Sequence, residues 1–211
     1  MEFGAVTIEW DGYEPYEPGV AGPPNTLPRA EARQAFKRCM ETKPARLEML
    51  SRLLKANSGE LGNSDAAVQD LNDWFFAHVE ADAEQPGQLL PDWYSVAHDV
   101  ALFLGDVMIE RHPNLRWEFF TWGKANVAFQ RPVIMGFSTE DPKFHTNINI
   151  DRMVATYAHQ IIESRGSVPS YGSVDVRGTA VDVDAAAARH RGREIETDAF
   201  WHWLQMAAQR A

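Results

Sequence analysis

Residues 91–137 read PDWYSVAHDVALFLGDVMIERHPNLRWEFFTWGKANVAFQRPVIMGF, and the fold class turns on a change of period inside them. Val96, Val100, Leu104 and Val107 form one ridge at helical spacing, with Ala97, Ala101 and Met108 beside it. The pattern predicts a helix that Pro113 ends, because the ring of a proline disfavours helix in the residue before it. Beyond Pro113 the period falls to two. Leu115, Trp117 and Phe119 alternate with Arg116, Glu118 and Phe120, and Val127, Phe129, Val133, Met135 and Phe137 follow the segment Gly123–Asn126. Two alternating runs around a Gly/Asn segment predict a β-hairpin. Pro132 lacks an N–H, so the second strand is an edge or carries a bulge.

Working back toward the N-terminus, helical spacing recurs. Ser64 is the N-cap of a predicted helix to about Val79, which buries Val68, Leu71, Trp74 and Phe75. Leu47, Leu50, Leu53 and Leu54 mark another helix, ending near Asn57–Gly59. Ala32, Ala35, Phe36, Cys39 and Met40 mark one before it, opened by Thr26 as N-cap with Pro28 in its first turn. Pro44 is expected to stop or kink that helix. Residues 11–28 are rich in Pro and Gly and predict a surface arm, and Val6–Trp10 could add a third strand to the hairpin.

Toward the C-terminus, Met153, Val154, Tyr157, Ala158, Ile161 and Ile162 predict a further helix, and Thr197 is expected to cap a last one carrying Phe200, Trp201, Leu204, Ala207 and Ala208. Residues 166–192 are expected to be irregular, although SVDVRGTAVDV is also readable as a strand pair. Segregated helices and strands predict an α+β fold. It is mostly helical, with five to six helices and a hairpin or three-stranded sheet around residues 115–137. The 211 residues suit a single domain over 1–211.

Composition narrows the function classes. The net charge of −10 disfavours nucleic acid and anionic membranes, which need clustered Lys and Arg. No run is long and apolar enough for a membrane span, and the N-terminus lacks a signal-peptide pattern, so a cytoplasmic protein is expected. The one cysteine, Cys39, excludes an internal disulfide. It lies in an apolar helical stripe and reads as a buried structural thiol. There is no G-x-S-x-G, P-loop, G-x-G-x-x-G, H-E-x-x-H or E-x-x-H. Catalytic residues, metal ligands and cofactors are therefore not assigned. His159 with Glu163, Asp198 with His202, and His98 beside Asp99 read as surface ion pairs or satisfied polar residues rather than ligands.

The charges are segregated. Between Ala56 and Glu110 there are eleven carboxylates and no Lys or Arg, whereas Arg29–Lys55 holds eight basic residues against three acidic ones. Asp99, Asp106 and Glu110 fall on one helical stripe, a candidate docking face for a basic partner. Two blander readings compete with it. The stripe is a solvated helix face, or it meets the basic stripe Arg29, Arg33 and Lys37 inside the molecule. Trp122, Trp201 and Trp203 are candidates for a pocket or an interface, because Trp201 to Trp203 cannot all face inward from one helix.

The segments RLEMLSRLLKANSGELGNSDAAVQDLNDWF and WYSVAHDVALFLGDVMIERHPNLRWEFF carry a family resemblance. A helix with a Leu-Gly-Asp turn leading into a Trp-bearing hairpin resembles small uncharacterised bacterial domains, some of them similar to immunity or accessory proteins of toxin systems. The resemblance spans roughly residues 46–137 and implies no catalytic residue. Gly105 reads as a position where the hairpin or another helix approaches closely. The expected function is a non-enzymatic binding or regulatory protein, monomer or homodimer, using the acidic window 60–110. The alternatives are a metal-dependent hydrolase built on carboxylates with His98 or His159, and a small-molecule binder with a Trp-lined pocket.

Overall fold

The computed structural model describes residues 8–85, 87–139, 145–165 and 195–211, and the backbone of two further strands. Five helices carry the core: α1 (Arg29–Ala56), α2 (Asp65–His78), α3 (Pro91–Arg111), α4 (Ile150–Arg165) and α5 (Ala199–Ala208). Strands β1 (Arg116–Phe119) and β2 (Pro132–Met135) form the antiparallel hairpin, with Trp117 opposite Ile134 and Phe119 opposite Pro132. The chain is thus mostly helical α+β. A second hairpin pairs β3 (Ser173–Val176) with β4 (Thr179–Asp182), where an irregular segment or a strand pair was expected. The remaining positions of 166–192 lie outside the described residues.

Helix α3 is the axle. Its ridge residues Val96, Val100, Leu104 and Val107 are buried, and it touches α1, α4 and α5. Trp93 at its start is fully buried and meets Trp10, Trp74 and Phe75 at centroid distances of 5.7 to 5.9 Å. These tilted and edge-on contacts add to the burial of large aromatic surfaces. Phe200 and Trp203 of α5 extend the cluster through Tyr157.

Three expectations are corrected here. Pro44 does not stop the helix but lies inside α1, so the two helices expected before and after it are one. A proline within a helix costs about 3 kcal/mol, and α1 offsets this by bonding to α3 on both sides of it, through Lys43 and Arg46. Thr26 does not cap α1. Its hydroxyl donates to the Pro23 carbonyl in a short 3-10 turn, and Pro28 occupies the cap position. Thr197 does not cap α5 either, since its carbonyl is taken by Asn72 and Gln69, and Asp198 sits at the cap. Ser64 does cap α2, accepting from the Ala67 N–H at 3.2 Å.

No strand forms over residues 8–10, and 1–7 lie outside the described residues. Ile148 makes the third contact on the hairpin instead, exchanging two backbone bonds with Ile134 at 2.9 and 3.0 Å. Pro132 opens β2, where its missing N–H disrupts least. Residues 8–27 run as a strap over α1 and α3. Glu9 bonds Asn57 in both directions, the Tyr16 N–H donates to Ser95 Oγ at 2.8 Å, and Gln130 fastens the far end at the carbonyls of Pro24 and Leu27.

Candidate functional site

The stripe Asp99, Asp106 and Glu110 does not form one open face. Asp99 is fully buried. Its two oxygens accept from Arg46 Nε at 2.9 Å and Nη2 at 2.7 Å, and the Tyr13 hydroxyl donates to it at 2.6 Å. Burial pushes the Asp99 carboxyl above its usual range, although the Arg46 and Tyr13 donors work against that. The two-point guanidinium–carboxylate geometry is a strong, orientation-specific contact. Arg46 also donates to the Glu14 carbonyl, so this buried knot ties the strap to α1 and α3.

Asp106 is partly exposed. It accepts from Lys43 Nζ at 2.5 Å and from the Trp117 indole N–H at 2.8 Å. Glu110 is exposed and accepts from Asn63 at 2.9 Å. The cations that meet the stripe are Lys43 and Arg46, not Arg29, Arg33 and Lys37 as the intramolecular reading had it. Arg33 instead lies over the Phe119 ring of the hairpin.

The tryptophans divide. Trp203 is half-buried against Phe200 and Tyr157 and belongs to the core edge. Trp122 is 50% exposed on the β1–β2 connection and stacks on His145 at 3.7 Å. Trp201 is 36% exposed. Trp10 and Trp74 each pack on Trp93, and the groove of about 350 Å³ between the strap and α1 is lined by residues 18–21, Glu31, Gln34, Ala35 and Arg38, without a tryptophan.

Trp201 neighbours the Asp65 carboxylate. The Arg111 guanidinium at 2.6 Å and then the Trp201 indole hold the Asp65 carboxyl below its usual range. Asp73, Asp198 and Glu196 lie near enough to bear on the Tyr157 phenol, whose hydroxyl donates to the Glu196 carbonyl at 2.8 Å. Asp65, Asp70, Asp73, Glu196 and Asp198 are all exposed. Glu110 borders this face, because its partner Asn63 directly precedes the cap of α2. Exposed carboxylates of α2 thus neighbour those of the turn before α5, joined through Gln69, which bonds both Asp73 and the Thr197 carbonyl. Periodicity along α3 alone missed this, since the face is assembled across two helices far apart in sequence.

A second cluster went unrecognised in the sequence. Cys39 Sγ lies 3.8 Å from His98 Nε2, and His98 Nδ1 lies 2.7 Å from Asp151 Oδ1, bringing α1, α3 and α4 to one point. Tyr16 of the strap stacks on the His98 ring at 4.3 Å. Burial pulls the imidazole down, but the Asp151 carboxylate and the Cys39 sulfur outweigh it and push the ring up to about 10. Burial likewise raises the Asp151 carboxyl, and His98 overcomes it, leaving Asp151 below its usual range. Cys39 is buried, as its apolar stripe implied.

Among the described residues, no group of three or more His, Cys, Asp or Glu side chains could hold a metal ion. His159 only tilts against Tyr94. No helix among them is long and apolar enough to cross a membrane. The chain matches no protein-family model, no curated protein and no solved structure.

Proposed function

We propose that the protein is a non-enzymatic binding protein that takes a basic partner on the face formed by α2 and the start of α5. The observation that carries this reading is Trp201, a large aromatic side chain left 36% exposed. Asp65, Asp70, Asp73, Glu196 and Asp198 are exposed on the same two elements. Tryptophans at the centre of an interface are the side chains most often found to dominate its energy. Surrounding charge of one sign speeds encounter with an opposite partner and rejects partners of like charge. The absence of Lys and Arg from Ala56 to Glu110 keeps that field unbroken until Arg111, which Asp65 engages. An immunity-type or regulatory role fits this surface and the resemblance of residues 46–137. Asp106 and Glu110 are then peripheral to the face, and Asp99 serves the interior.

The test begins with partners co-purified at low salt from the source cells, followed by titration of the purified partner. Trp201→Ala is expected to weaken binding by about thirtyfold, the equivalent of a 2 kcal/mol anchor. Asp73→Lys is expected to slow association and flatten its salt dependence. A partner that binds the doubly substituted protein as tightly as the wild type would remove the reading.

A further inference from the structure

The side chains around Cys39 have an order that packing alone does not require. The Asp151 carboxylate holds His98 Nδ1, so the ring can turn only its Nε2 toward the sulfur. A carboxylate that fixes a histidine beside a nucleophile is the arrangement by which such a ring supports attack. The groups facing the pair from other elements are Tyr16 of the strap and Asp151 of α4, with Asp99 and Arg131 acting on the pair from further out. Burial first, then the nearby Cys39 sulfur, raise the Tyr16 phenol, and Arg38 works against them.

What the sulfur could attack is narrowed by its place. Cys39 sits in the middle of α1, where backbone N–H groups are bonded along the helix. Acyl transfer needs paired donors at the developing oxyanion, and a mid-helix backbone does not offer them. Thiol–disulfide exchange needs only an anionic sulfur, a disulfide and access. Space for the attached group lies next door. The groove of about 350 Å³ runs between strap residues 18–21 and the α1 residues Glu31, Gln34, Ala35 and Arg38. Ala35 lies one turn before Cys39 on the same helix face. The Arg38 guanidinium lies along the backbone of Gly19, where an added Cβ would be 2.7 Å from its Cζ.

We infer that Cys39 is a site of thiol–disulfide exchange with a small anionic disulfide, supported by His98 and Asp151, with Arg38 of the adjoining groove receiving the anionic end. The Cys39 thiol loses its proton to solvent beside the His98 ring, which already carries one, and the sulfur attacks as the anion with that cationic ring as counter-ion. A bond forms from Sγ to one sulfur of the disulfide. The disulfide's own S–S bond breaks, and its other half leaves as a thiolate with the electron pair. Cys39 is oxidised, and the departing thiolate is the reduced product. Cys39 is only 3% exposed, so Tyr16 must swing aside for the reaction. The mixed disulfide then keeps Tyr16 from returning over His98.

The test treats the native full-length protein with two disulfide reagents, the anionic dithiobisnitrobenzoate and the neutral dithiodipyridine. One cysteine limits the release to one thiolate per chain. The native protein is expected to give that full equivalent without denaturant. Tyr16→Ala is expected to react at least about tenfold faster, and His98→Gln at least about tenfold slower at about pH 6, where an unassisted thiol is almost wholly protonated. Arg38→Ala is expected to slow the anionic reagent and leave the neutral one unchanged. Asp151→Asn serves in place of His98→Gln if circular dichroism shows that variant unfolded. The proposal is overturned if neither the native protein nor Tyr16→Ala reacts until unfolded. It is equally overturned if the His98 and Asp151 variants, folded, react as fast as the wild type, or if Arg38→Ala slows both reagents alike.

Discussion

Gly105 of α3 faces the Trp117 indole of β1 so closely that a Cβ placed on it would fall 2.6 Å from Cη2 of the ring. Real Cβ atoms do not approach carbon this closely, so the helix and the hairpin meet where a side chain is missing. In an exposed helix, Gly→Ala stabilises by about 1 kcal/mol. Here the sign reverses. The indole cannot retreat freely, because its N–H donates to Asp106, which also holds Lys43. Gly105→Ala is expected to destabilise by about 1–3 kcal/mol, the usual cost of overpacking. Urea unfolding measures it. Trp117→Phe, which shortens the ring, is expected to recover part of the loss in the double variant.

The knot of Arg46, Asp99 and Tyr13 predicts unequal costs for its three members. Asp99→Ala leaves a buried guanidinium without its counter-charge, and breaking one side of such a pair costs about 3–5 kcal/mol. Tyr13→Phe removes one donor and leaves the ion pair intact, so a loss of about 1 kcal/mol is expected. Replacing both charges by apolar residues, Arg46→Met with Asp99→Leu, is expected to recover most of the Asp99→Ala loss, since buried pairs are often neutral against hydrophobic substitutes. Denaturant midpoints of the four proteins decide it. A double variant as unstable as Asp99→Ala would show that the knot holds the strap by more than charge.

His98 predicts how stability depends on pH. Its ring is pushed up to about 10 in the folded protein, against about 6.5 when unfolded. The folded state therefore binds the proton more tightly. The stabilisation is fully present below about pH 6.5 and is lost as pH rises through about 10, an effect on the order of 2 kcal/mol or more. Asp151 acts on the opposite limb. Its lowered carboxyl contributes stability above the unfolded carboxylate range, and that contribution is lost as pH falls through it. Urea midpoints of wild type and His98→Gln, taken across the alkaline limb, are expected to converge as pH rises. Parallel curves would deny His98 a raised affinity for its proton.

These tests fall where local sequence and tertiary partner diverge. Helix α3 and the hairpin were legible because one side of each is apolar with its own period, and Gly105 was legible because a glycine inside that ridge has no local use. The passage of α1 through Pro44 was not, because what offsets the proline is Lys43 and Arg46 bonding to α3. Asp99 looked like its neighbours on the stripe Asp106 and Glu110. Whether such a carboxylate faces water or a buried cation depends on Arg46, which is 53 residues away. The burial of Cys39 could be read from its apolar stripe, but its neighbour His98, 59 residues on, could not. Helix periodicity gives the facing of a side chain and leaves its partner open. The exposure of Trp201 was legible because adjacent aromatics on one helix cannot all face inward. The exposed carboxylates of α2 and of the turn before α5 are joined by no single window of sequence.

Asn72 predicts how the C-terminal helix is held. Helix α5 has no side-chain cap of its own, since Asp198 at the cap position makes no such bond. Asn72, fully buried in α2, serves from outside. Its Oδ1 accepts from the Phe200 N–H at 3.2 Å, and its Nδ2 donates to the Thr197 carbonyl at 2.6 Å. A cap in a helix's own chain is worth about 1 kcal/mol, and here the Phe200 N–H, in the buried start of α5, loses its partner, while the exposed Thr197 carbonyl keeps Gln69. An orphaned buried donor costs about 1–3 kcal/mol. Asn72→Leu, similar in size and unable to bond, is therefore expected to destabilise by about 1–3 kcal/mol. The loss should be felt first at α5. Hydrogen exchange is the discriminating measurement. Amides of residues 199–208 are expected to lose protection in the variant well before those of α3. Uniform loss across the core would instead mean that α5 unfolds only with the whole domain, and that Asn72 supports the core at large.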